Sequence, residues 1–189
     1  MVGETVEVYE GQQDHTMKVL VLKEMYSSSV GAVVMTDNIS NDRASLLRWL
    51  SEFGLESTES SVVLLTDAEE AVKSFVTGCT DKYNFLIRRA SPQGHESVGG
   101  VERGNRLIRE QLATLQSEYQ GLGYSLVFRR DILQLLLNFI CMSHNCHGRA
   151  HSGDRAPREI VSGRKLPQQE FALFGSKVHV EVPESIRKL

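Results

Sequence analysis

The sequence predicts an α/β domain, a mixed sheet with helices on both faces. Three observations lead there. Short apolar segments separated by polar turns fill the first 35 residues, as in consecutive strands. Val62-Val63-Leu64-Leu65 is apolar without alternation, the pattern of a strand covered on both faces. Two long segments after residue 100 carry apolar residues at helical spacing. The resulting order is three strands, helix, strand, helix, strand, helix, helix. It is neither a Rossmann alternation nor an all-β pattern, and five strands flanked by helices form the simplest mixed sheet.

Thr5–Glu10 alternates Val6 and Val8 with polar residues and predicts a strand; 11–15 then reads as a turn, with Asp14 in it. Met17–Lys23 is nearly continuous apolar strand, and Val30–Met35 is a third strand after the polar Ser27–Ser29. Turn residues from Thr36 to Asp42 precede a helix, Arg43–Phe53, with Leu46, Leu47, Leu50 and Phe53 on one face. A second helix is expected over Ala68–Val76 and a last core strand over Tyr83–Ile87. Residues 90–100, with Gly99-Gly100, read as a flexible loop. A long helix follows, Val101–Leu122, with an apolar stripe of Val101, Ile108, Leu112, Leu115, Tyr119 and Leu122. Asp131–His144 is apolar nearly all round and reads as a buried helix; the tail is irregular, then a short strand over Lys177–Val182. This divides the chain into a core, 1–150, and a tail, 151–189.

Composition narrows the class. The chain has 189 residues and is 41% hydrophobic, enough for one cored domain. The opening MVGETVEVYEG carries acids where a secretory signal carries bases and then an apolar run. The longest apolar run, Ile132–Met142, is too short to span a bilayer, so a soluble intracellular protein with no membrane partner is expected. Three cysteines, Cys79, Cys141 and Cys146, make no disulfide framework. Net charge is −3 and unevenly spread. Residues 1–70 hold 4 basic against 13 acidic residues, or −9, and residues 71–189 hold 17 against 11, or +6. A polyanionic partner would meet the second part.

Two acids stand out. Asp67 follows the buried strand, where ligands of open α/β sheets collect. Glu102 opens the long helix, with Arg106 and Arg109 four and seven residues on and so on the same face. A carboxylate beside guanidiniums suits a site that holds a metal ion and phosphates together. The bland reading stands beside it: Asp67 with Glu70 is a capping box, and Glu102 with Arg106 an i,i+4 pair. Cys141, His144, Cys146 and His147 are soft ligands within seven residues, but without a second knuckle they read as a helix end running into a polar loop. His95 and Ser97 precede Glu102 without any oxyanion or elbow pattern.

Ser97–Gln111, SVGGVERGNRLIREQ, resembles the NG-x-x-ER-x-NR stretch of copia-type LTR-retrotransposon integrases, whose glutamate is the last acid of a D-D-E triad. Val62–Val72, VVLLTDAEEAV, resembles the segment with the triad's second aspartate, and the 34 residues between Asp67 and Glu102 resemble the family spacing. MKVLVLKEMYSSSVGAVVM resembles the family's second and third strands; APREIVSGRK and FGSKVHVEVP resemble segments after its core. The resemblance covers about residues 5–185. It implies an RNase H-like fold, Mg²⁺ or Mn²⁺ ions, a DNA partner, nuclear location, possible homo-oligomers, and attack on a phosphodiester by water or a DNA 3′-hydroxyl. It further implies that Asp67 and Glu102 are catalytic metal ligands and that Arg103, Arg106 and Arg109 contact DNA, with Arg106 and Arg109 on the better face.

The chain departs from the pattern in places. The first triad aspartate belongs on the first strand, where Thr5–Glu10 has none; Glu7 is the nearest acid, ahead of Glu10. Ala68 stands for an asparagine, and Gly99-Gly100 for asparagine–glycine. An amino-terminal HHCC zinc module is missing from these residues, as expected of a fragment or a decayed copy. Two functions follow: DNA integration by metal-dependent strand transfer from a weakened site, and a non-catalytic nucleic-acid-binding or assembly module that kept the fold.

Overall fold

The structure is a computed structural model, and it describes residues 2–10, 13–36, 39–52, 62–66, 75, 77–78, 85–89, 95–126, 128–150, 153–165 and 174–176. Strands β1 (Val2–Glu10), β2 (Gln13–Lys23) and β3 (Val30–Val34) form an antiparallel sheet in the order β1-β2-β3. The first hairpin is longer than its apolar pattern. Glu10 pairs with Gln13, Tyr9 with Asp14 and Val8 with His15, so three of the five residues read as a turn belong to β2. A ladder is held by backbone groups and continues through polar residues.

β2 shows why its sequence lacks alternation: both faces are covered. Val19 and Val21 join Val30, Ala32 and Val34 in one core, beneath helices α2 and α3 described below; Leu20 and Leu22 join a second core with Leu46, Leu50 and Phe75. Leu46 and Leu50 come from helix α1 (Ile39–Glu52), which starts four residues earlier than its apolar stripe predicts. Buried Asp42 fastens that start: its carboxylate accepts the Thr36 backbone N–H (2.9 Å) and hydroxyl (2.8 Å). Gly31 faces the ring of Trp49 on α1, where any β-carbon would collide with it.

β4 (Val62–Thr66) and β5 (Phe85–Arg89) pair in parallel, Val62 with Phe85 through Thr66 with Arg89. Five strands are therefore present, but among the described residues they form a three-stranded sheet and a separate two-stranded pair rather than the single expected sheet. Strand periodicity identifies strands, not their partners. Nor is β4 covered on both faces by described elements, since Val63 is 48% and its partner Leu86 47% exposed. Of the expected second helix, Ala68–Val76, only Phe75 is described, and it is helical, as is Thr77 just beyond; the Lys177–Val182 strand lies outside the described residues.

Helix α2 (His95–Gly121) begins six residues before the expected Val101, so 95–100 is helix and not flexible loop. The Gly99-Gly100 pair prompted the loop reading, but Gly100 is a packing site: a β-carbon there would lie 2.7 Å from Met25 Sδ. Val101, Ile108, Leu112 and Leu115 are buried as the stripe predicts, while Leu122 is 68% exposed beyond the helix end. Helix α3 (Arg130–His147) is not apolar all round in its environment, for Leu135 and Met142 are exposed.

The polar residues of α3 have a specific task. Asn145 accepts the Val30 N–H and donates to the Val30 carbonyl, both at 2.9 Å. Gln134 accepts the Val34 N–H at 2.7 Å and donates to the Ala32 carbonyl at 3.2 Å. Cys141, between them on the same stripe, is within hydrogen-bonding range of the Ala32 backbone. β3 is the sheet's edge, and these side chains satisfy the backbone groups that an exposed edge would offer to another strand.

The tail is not irregular throughout. Helix α4 (Pro157–Ser162) starts with a proline and stops at Gly163 in the left-handed region (φ 67°). Phe174 packs edge-on against Phe139 of α3, ring centroids 5.6 Å apart, and its carbonyl accepts the Tyr119 hydroxyl of α2. No helix among the described residues is long and apolar enough to cross a membrane.

Candidate functional site

Helix α2 carries the site. Its buried stripe packs on β2 and the core beneath, so the opposite side faces solvent. Glu102, Arg103, Arg106 and Arg109 are all exposed there. At about 100° per residue, Glu102, Arg106 and Arg109 fall within about 60° of one another, and Arg103 points about 100° from Glu102. Glu102 is the eighth residue of the helix, not in its first turn, so the helix start exerts little pull on its charge. Among the described residues no ion pair joins Glu102 to Arg106, so local pairing does not occupy that carboxylate.

Asn105 lies between these residues, one turn after Glu102. It is 8% exposed, and its Oδ1 is buried without a hydrogen-bond partner. Such an orphan costs about 1–3 kcal/mol unless something supplies a donor or a cation. Sequence reasoning placed Asn105 on this helix but gave it no role. A carboxylate with an amide oxygen is hard-donor chemistry that suits Mg²⁺ or Mn²⁺. Among the described residues no three His, Cys, Asp or Glu side chains converge on a point. Asp67 follows directly on β4 but itself lies outside the described residues.

The strand register locates the backbone of Glu7. Glu7 pairs with Thr16, while the α2 turn holding Gly104 crosses β2 at Val21 and Lys23. Thr16 is five residues from Val21, or about 17 Å along the strand. Glu4 pairs with Val19, only about 7 Å from the same crossing. By register Glu4, which sequence reasoning passed over, is the nearer acid of β1.

The soft-ligand cluster is dispersed by its roles. Cys141 is buried at the β3 edge, and burial pushes its thiol up to about 12. His144 Nε2 lies 3.3 Å from the Ser28 carbonyl, Cys146 is half-buried and His147 exposed. His95 opens α2 and Ser97 lies in its first turn.

No family model matches the chain, and no curated protein matches it in sequence. Solved structures do. The chain is similar to a chain of the simian T-cell lymphotropic virus intasome in complex with PP2A regulatory subunit B56 gamma (TM-score 0.60, 17% identity), covering 94% of this chain and 59% of that one. It is similar to the catalytic core domain of BIV integrase (TM-score 0.57, 18% identity), covering 86% of this chain and 92% of that one. It is similar also to the HTLV-2 integrase catalytic core domain in complex with magnesium, in a trimeric form (TM-score 0.55, 15% identity), covering 84% and 93%. At these identities the likeness is one of fold: a mixed α/β fold similar to that of retroviral integrase catalytic cores.

Proposed function

We propose that this chain is an integrase-core domain of copia type that binds DNA across the exposed face of α2. The observation that carries the reading is the outward face Glu102–Arg106–Arg109, free of mutual pairing between Glu102 and Arg106, on a helix of an integrase-like fold. Arg106 and Arg109 bind backbone phosphate, where a guanidinium fork matches two oxygens. Asp67 and Glu102 hold a divalent cation, with Asn105 Oδ1 toward the same site. A cation bound there stabilises charge on the attacking and leaving oxygens of a phosphodiester. On β1, Glu4 takes the first acidic position by register, with Glu7 as the alternative. The β4–β5 pair joins β1 to complete a mixed five-stranded sheet, because the β3 margin is sealed by α3. The exposed Leu135 and Met142, seven residues apart on α3, suit self-association, and the similar HTLV-2 core has a trimeric form.

The second reading is a non-catalytic DNA-binding or assembly module. The absence of aspartate from β1 favours it. Two measurements separate the readings. Duplex binding, followed by fluorescence anisotropy across a salt series, tests the shared part: Arg106→Glu with Arg109→Glu should weaken it and flatten its salt slope by about 0.9 for each phosphate no longer neutralised. Binding that is indifferent to both substitutions refutes the assignment of this face. A strand-transfer assay on a labelled donor duplex with Mg²⁺ or Mn²⁺ tests the rest. Joining that Glu102→Gln abolishes establishes the enzyme; no joining by folded, DNA-binding protein establishes the module.

A further inference from the structure

Arg103 does not share the Arg106–Arg109 face. Its charge bears on the ammonium of Lys23, the last residue of β2. The approach of Lys23 to α2 is made possible by Gly104. A β-carbon on Gly104 would stand 3.7 Å from Lys23 Cδ and 3.9 Å from Lys23 Cβ, so the bare turn of α2 lets the lysine stem lie along the helix. On α3, His144, 3.3 Å from the Ser28 carbonyl, also feels the Lys23 charge. Lys23 thus lies against α2 at Gly104, next to Arg103 in sequence, and within electrostatic reach of His144 on α3.

Among the described residues no acid is ion-paired with Lys23 or Arg103. Glu24, the adjacent carboxylate, is turned into its own loop, where it accepts the backbone N–H groups of Tyr26 and Ser27. Burial lowers the Lys23 pKa, and the Arg103 guanidinium lowers it further; burial, then the Lys23 charge, also lowers that of His144, against the Ser28 carbonyl. A half-buried ammonium beside a guanidinium is held at an electrostatic cost that an anion between them would relieve.

We propose that Lys23 and Arg103 form a phosphoryl-binding subsite, separate from the Arg106–Arg109 face, which takes a backbone phosphate of nucleic acid. The two cations come from a strand end and a helix fixed by the shared core, so their spacing is preset. As a nucleic-acid site it rests on the DNA-binding reading above, and it extends that interface around α2 toward the β2–β3 turn; as a site for a phosphoryl oxyanion it does not.

The experiment has two arms on the full chain. In the first, inorganic pyrophosphate is titrated while the backbone amide resonances of Gly104 and Ser28 are followed. In the second, duplex DNA binding is measured across a salt series. The variants are Lys23→Gln with Arg103→Gln, and Lys23→Arg as the charge-keeping control. The expected result is a saturable shift at Gly104 that the double variant abolishes, together with a DNA salt slope lower by about 1.8, or 0.9 for each cation removed. Lys23→Arg should keep both. A pyrophosphate response with an unchanged DNA slope keeps the subsite and assigns it to a free phosphate, whatever becomes of the Arg106–Arg109 face. No response in either arm by folded protein overturns the proposal, as does a loss in Lys23→Arg equal to that in the double variant.

Discussion

Replacing Asn145 by leucine tests the edge-sealing role of α3. The side chain is 8% exposed and makes two 2.9 Å hydrogen bonds to Val30. Leucine has a similar volume, so little cavity or overpacking follows. It strips partners from the Val30 N–H and carbonyl, each a buried backbone group whose orphaning costs about 1–3 kcal/mol. Burying leucine where an amide stood returns roughly 1–2 kcal/mol. The net loss should be about 3 kcal/mol, or roughly 6–12 °C in Tm for a chain of this size. Gln134→Leu should cost less, about 1 kcal/mol, because Gln134 is only half-buried and water reaches part of what it leaves. The two sites are 11 residues apart, about 16 Å along the helix, so their effects should add. Urea unfolding gives the stabilities, and hydrogen exchange at the Val30 amide gives the mechanism. A loss in Asn145→Leu below about 0.5 kcal/mol, the range of ordinary surface changes, would refute the reasoning, as would undiminished protection at Val30.

Other outcomes follow from particular neighbours. His144 has its folded pKa depressed, chiefly by burial, so the stability it contributes is present above the ordinary value of 6.5 and is lost as pH falls through the folded value. The fall in Tm from pH 7.5 to 5 should therefore be shallower in His144→Gln; an equally steep fall would show that other groups set the acid limb. Cys141, pushed up to about 12 from an ordinary 9.0, should resist alkylation at pH 8 in the folded protein while half-buried Cys146 reacts, as mass spectrometry of the labelled chain would read. Its raised value also means that this contribution is full below about pH 9 and is lost as pH rises toward 12. Equal labelling of the two cysteines would count against the burial. Gly31→Ala should destabilise by about 1–3 kcal/mol through the forced displacement of Trp49, and unchanged urea unfolding would refute the close approach.

The strands and the α2 stripe were legible because burial follows periodicity: Val19–Leu22 is apolar throughout since both faces are covered, and Val101, Ile108, Leu112 and Leu115 recur at helical spacing. What depends on a distant partner was not. Gly99-Gly100 looked like a break because the close neighbour of Gly100 is Met25, in a turn some 75 residues earlier. The roles of Gln134, and of Asn145 just past the expected end at His144, were not visible because their partners are backbone groups of β3, about 100 residues away. For the candidate site, helical spacing correctly joined Glu102, Arg106 and Arg109. It set Arg103 apart but not toward Lys23, and the expected strand Thr5–Glu10 left Glu4 out because the length of β1 and the crossing point of α2 on the sheet are matters of register.

The packing of Gly31 against Trp49 also makes this protein its own spectroscopic probe. Trp49 is the chain's single tryptophan, and it sits on the α1 side of the sheet against β3. The core beneath α2 and α3 contains no tryptophan and is silent at wavelengths that excite indole alone. Emission therefore reports departure of α1 from the sheet, and circular dichroism reports loss of the long helices on the other side. If the two transitions coincide in urea, the sheet couples its faces into one cooperative unit. If emission moves first, α1 peels away from a folded remainder.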